Sequence, residues 1–94
     1  MNENQIIKAI ENLDIVFKNK DKNPKEYNNT MFIITSLGFR YYKFLLDRYL
    51  YRMKLKDIAI KHNDTHENIR YLSKIWRERI KDTLHDMERY NIAV

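Results

Sequence analysis

The pattern with the most chemistry in this chain lies between residues 65 and 81. Arg70, Lys74, Arg77 and Lys81 follow one another at spacings of four, three and four. At about 100° per residue on an α-helix these cations fall on one side. Ile69, Leu72, Ile75, Trp76 and Ile80 gather on another. Such a helix can seat its oily face on a core and hold positive charge out to a polyanion. It fits the major groove of duplex DNA, where its N-terminal residues meet base edges and its later cations meet phosphates. An ordinary solvated helix face also carries such a stripe, so the segment ahead of it has to decide between the two.

That segment reads Leu55-Lys-Asp-Ile-Ala-Ile-Lys-His-Asn-Asp64. Leu55, Ile58 and Ala59 face inward on a short helix, and the small Ala59 lets a crossing helix approach closely. Asn63-Asp64 breaks the helix, and Asn is the best non-glycine residue for a left-handed turn position. Thr65 is a good N-cap for the next helix, and Glu67 suits its first turn. Two helices joined by so short a turn form a helix-turn-helix. Lys54, Lys56 and Lys61 add cations within reach of phosphates.

Other chemistry finds less support. His62 and His66 are four apart with Glu67 adjacent, a zinc-like spacing on one continuous helix. The Asn63-Asp64-Thr65 break between them argues against it, so neither metal nor cofactor is expected. With one glycine there is no phosphate-cradling loop, and with no cysteine there is no thiol nucleophile or disulfide framework. No Ser, His and Asp grouping stands out, and the expectation is that the chain is not an enzyme. Trp76 and the seven tyrosines could stack on unpaired bases, but helical spacing assigns most of them to a core.

The elements that must position these residues are also legible. The chain has 94 residues, enough for a single domain over 1–94, with residues 1–23 as an N-terminal helix and linker and 24–94 as the unit carrying the turn. Residues 1–38 hold five basic and five acidic side chains, whereas 39–94 hold thirteen and eight, so all of the net charge of +5 lies in the second part. A first helix is predicted from Glu3 to Phe17, opened by an Asn2/Gln5 capping box and buried through Ile6, Ile10, Leu13 and Phe17. Asn23-Pro24 opens a second helix, which Gly38 ends. A third is predicted from Phe39 to Arg52, with Phe39, Tyr42, Leu46, Tyr49, Leu50 and Met53 as its buried stripe. Tyr41, Leu45 and Tyr51 then exceed what one packing face needs. A last helix from Thr65 to Tyr90 is about 39 Å long, and its end is free to pack on the first helix or on a second subunit.

Residues 46–81 resemble the promoter −35 recognition domain at the C-terminal end of bacterial sigma factors, and small phage or plasmid regulators built on it. The resemblance rests on Leu55, Asp57-Ile58-Ala59, Thr65, Glu67, Ile69-Arg70 and Lys74 at ungapped spacing, with Leu46-x-Arg48-Tyr49-Leu50 upstream. It implies that His66, Glu67, Arg70 and Tyr71 read bases; Thr65 and Asn68 at the start of the same helix are expected to join the DNA-binding residues, and helix geometry puts Lys74, Arg77 and Lys81 at phosphates. His62 and Asp64 stand where the family has apolar residues, which predicts a looser, more exposed turn. Residues 1–38 are too short and too little charged for the polymerase-gripping part of a sigma factor.

The expectation is an all-α, cytoplasmic, bacterial or phage protein of about five helices. It binds double-stranded DNA as a transcriptional regulator, without membrane attachment, and a homodimer through the first and last helices stays open. A second reading, motivated by the apolar excess around Tyr41, Leu45 and Tyr51, is an interaction module that occupies RNA polymerase or another regulator.

Overall fold

The computed structural model describes residues 2–90, and these are helical with no strand. Among the described residues no helix is long and apolar enough to cross a membrane. The order is α1 Glu3–Glu11, α2 Leu13–Lys18, α3 Pro24–Ser36, α4 Phe39–Leu45, a π-helical turn Leu46–Leu50, α5 Leu55–Lys61 and α6 His66–Arg89. At 24 residues α6 is about 36 Å long, close to the 37 Å long axis of the molecule.

Local signals in the sequence place most helix starts. The Asn2 side chain accepts from the Gln5 amide at 2.9 Å, and the Gln5 side chain accepts from the Asn2 amide at 2.9 Å. Asn23 caps α3 by accepting from the Glu26 amide at 3.3 Å. Gly38 follows the last residues of α3 at φ +101°, a conformation nearly closed to residues with a Cβ. There the chain turns from α3 into α4.

Two expectations are corrected. The first helix is not continuous, because Asn12 leaves helical geometry at φ −114° and ψ 37° and splits it into α1 and α2. Its side-chain amide donates to the Lys8 carbonyl at 2.9 Å, the local competition with the backbone that makes Asn a poor interior residue. The break still leaves Ile6, Ile10 and Leu13 fully buried. Phe17 is half-buried, with its ring edge against Tyr27 at 5.1 Å.

The second correction concerns the stripe of the third helix. Phe39 is 74% exposed, while Phe44 and Leu45 carry the burial. Tyr42, Leu46, Tyr49, Leu50 and Met53 pack on the edge of the core. Of the three residues read as apolar excess, Leu45 is core, Tyr41 packs half-buried and only Tyr51 is exposed. Apolar side chains occupy nearly every position from 39 to 46, so periodicity alone does not choose a face.

One core holds these elements together. Ile6 and Leu13 from the N-terminal helices, Ile33 from α3, Phe44 from α4, Ile58 from α5 and Trp76 from α6 belong to a single buried cluster. Residues 3–18 are thus part of the core that supports α6 rather than an appended arm.

Candidate nucleic-acid interface

α5 and α6 pack on each other through Ile58, Ala59, Ile69 and Leu72, all buried. Between them the chain turns at Asn63, which sits at φ +52°, the left-handed position its short polar side chain tolerates. Thr65 caps α6: its hydroxyl accepts from the Asn68 amide at 3.0 Å. Asp64 completes the cap by accepting from the Thr65 amide and from the Asn68 side chain, each at 2.8 Å. These hydrogen bonds, that of Asn68 foremost, hold the Asp64 carboxyl below the ordinary carboxylate range. Arg40 of α4 adds an ion pair at 3.5 Å.

The turn is tighter than the apolar-to-polar replacements at His62 and Asp64 predicted. The His62 side chain is only 6% exposed and meets Asp47 at 2.6 Å through Nε2. Lys61 donates to the same carboxylate at 2.7 Å. Asp47 itself is buried in the π-helical turn. A carboxylate buried on two donors pins the end of α5 to the preceding helix, and the bend inherits that rigidity. This pairing also occupies one of the two histidines once weighed as zinc ligands. Among the described residues no three metal-ligating side chains cluster.

The first turns of α6 hold most of the residues that spacing and resemblance singled out. His66, Glu67, Arg70, Tyr71 and Lys74 are exposed and border one shallow concavity of about 470 Å³. Tyr71 is 59% exposed, a large ring left in water by the fold itself. Neither Arg70 nor Lys74 has an acidic side chain within 4.0 Å among the described residues. Lys54 and Lys56, at the start of α5, are exposed as well. Thr65 and Asn68 are exposed but have their polar groups engaged in the cap.

The remaining cations of the row are held elsewhere. Arg77 donates to Glu11 of α1 at 2.9 Å, with its guanidinium 4.4 Å from the Trp76 ring centre. Lys81 lies 3.8 Å from Glu3 of α1 and 3.4 Å from Glu78. Lys61 is on Asp47. The second half of α6 therefore packs along α1 of the same chain, and Met87 near its end is buried.

Sequence reasoning did not place Asp47, Arg40 or the α1 acids in this neighbourhood. Asp47 carried one usable signal: it is an acid flanked by Leu45-Leu46 and Tyr49-Leu50, an odd residue for an apolar stretch. Comparison of the chain with protein-family models, with characterised proteins and with solved structures found no match.

Proposed function

We propose that this chain binds double-stranded DNA sequence-specifically as a transcriptional regulator, with α5 and α6 acting as a helix-turn-helix. The observation that carries the reading is the outward face of α6. Among the described residues Arg70 and Lys74 have no acidic side chain within 4.0 Å, and they stand beside exposed His66, Glu67 and Tyr71, directly after a pinned and capped bend. Arg70 has the fork geometry to bridge guanine O6 and N7, and Glu67 can accept from cytosine N4. Lys54, Lys56 and Lys74 supply charge for phosphates. The resemblance to the sigma −35 recognition domain agrees with these roles.

The test is a fluorescence anisotropy titration with duplex DNA selected from a random pool, run at low and moderate salt. Binding that weakens steeply with salt is expected. Arg70→Ala is expected to cost about 1–3 kcal/mol on the selected duplex and to relax preference at one position. Salt-insensitive or absent binding overturns the proposal.

A second reading, an interaction module for RNA polymerase or another regulator, draws on a different surface. Phe39 and Tyr51 are 74% and 64% exposed, and both line a concavity that also includes Lys43 and Lys61. Capture of polymerase after nuclease treatment, kept in Arg70→Ala, would favour it over DNA reading.

A further inference from the structure

Resting on the DNA-binding reading, we propose that Glu3 and Glu11 of α1 set the boundary of the DNA-contacting face by neutralising Lys81 and Arg77. At about 100° per residue, Arg77 and Lys81 lie within roughly 20° of Arg70 around the axis of α6. Direction alone would make them an extension of the same cationic row along a groove. Instead each meets an α1 carboxylate, Arg77–Glu11 at 2.9 Å and Lys81–Glu3 at 3.8 Å. Lys61, the nearest cation of α5 to the turn, is likewise taken by Asp47 at 2.7 Å. Among the described residues Lys54, Lys56, Arg70 and Lys74 have no acid within 4.0 Å. Charge is thus left unpaired on one compact patch and paired with α1 carboxylates at the surface along its continuation.

The consequence is one of sequence-independent affinity. Each cation that neutralises a phosphate adds affinity for any duplex, whatever its sequence. A helix that presented all four cations would raise its binding to random DNA along with its binding to a target. Pairing the distal two with α1 lowers that sequence-independent affinity and leaves the selected-to-scrambled ratio to the base-reading turns. Glu3 and Glu11 in this sense limit binding to non-target DNA without touching a base.

The experiment uses the full chain, a labelled selected duplex and a scrambled duplex of equal length, titrated over a salt series. Arg77→Gln/Lys81→Gln is expected to keep the salt slope of the unaltered chain, because those cations are already spent. Glu3→Gln/Glu11→Gln is expected to steepen the slope by up to about 1.8, at about 0.9 per phosphate contact. That is an additional fall of about twelvefold in affinity between 50 and 200 mM salt by the same relation. The scrambled and selected duplexes should gain by the same factor at low salt, because phosphate contacts carry no sequence information. A flatter slope in Arg77→Gln/Lys81→Gln, or an unchanged slope in Glu3→Gln/Glu11→Gln, overturns the proposal. Far-UV circular dichroism checks folding, and the Arg77→Gln/Lys81→Gln arm decides alone where the acid-side variant is unfolded. A duplex affinity unaffected by Arg70→Ala would instead sink the DNA-binding reading itself, a separate outcome.

Discussion

Replacing Asp47 by Ala tests how the bend is held. The carboxylate is acceptor-only when ionised, so Nε2 of the buried His62 carries the proton that meets it. Without Asp47 that N–H loses its partner in a site only 6% exposed. A hydrogen bond to a charged group contributes about 1.5–3 kcal/mol. Lys61 is 55% exposed and regains water when released, so its arm adds no more than about 1 kcal/mol. The expected loss is about 2.5 kcal/mol, or roughly 10–20 °C in Tm for a domain of this size.

Asp47→Asn separates hydrogen bonding from bulk charge. The amide keeps one acceptor oxygen for His62, so it should lose about half as much as Asp47→Ala. His62→Ala combined with Asp47→Ala should cost less than the sum of the two singles by about 1 kcal/mol or more, the mark of direct coupling. Thermal melts followed by far-UV circular dichroism read the four variants and the unaltered chain. A Tm for Asp47→Ala within about 3 °C of the unaltered chain would refute the reasoning, since it sits well below the worked range. Equal losses for Ala and Asn would refute the acceptor argument.

Four further outcomes are expected. Gly38→Ala should destabilise by about 1–3 kcal/mol although a Cβ there meets nothing within 4 Å, because φ +101° itself is costly for any other residue; denaturant melts check it. Trp76→Phe should lose clearly less than the roughly 3–5 kcal/mol of Trp76→Ala, since it leaves the smaller cavity and, among the described residues, the buried indole N–H has no hydrogen-bond partner to forfeit. The hydrogen bond and charge of Arg52 hold the Asp14 carboxyl below the ordinary carboxylate range, and the Asn68 hydrogen bond does the same for Asp64. The unfolded chain then takes up more protons in that range, so the stabilisation is present above about pH 4 and lost as pH falls through the depressed folded values; acid titration of Asp14→Asn/Asp64→Asn should show a flatter acid limb. Thr65→Ala should cost about 1 kcal/mol by removing the cap of α6, readable as a lower Tm.

What could be read from residue order alone follows the range of the interactions involved. Asn2, Asn23 and Thr65 announce helix starts because each cap closes on an amide three residues away. Asn63 announces the bend because its own backbone preference makes it. The all-α class follows from the same local signals. The stripe of α4 was misplaced for a different reason: with aromatic or aliphatic side chains at 39, 41, 42, 44, 45 and 46, every rotation of the helix buries something oily, and only the neighbours select Phe44 and Leu45. The π-helical turn then shifts the register by a residue and brings Asp47 inward, which no 3.6-residue template anticipates.

The α1 pairings were invisible for the plainest reason. Glu11 and Arg77 are 66 positions apart, and nothing near either residue encodes the other. A stripe of cations read from spacing is a statement about direction only. Whether each charge is available to a ligand depends on what the fold lays beside it, and here α1 lays an acid beside Arg77 and Lys81 and none within 4.0 Å of Arg70 or Lys74. The cationic row therefore has to be judged in two halves: Arg70 and Lys74 keep the charge their spacing promises, and Arg77 and Lys81 share theirs with α1 carboxylates at the surface.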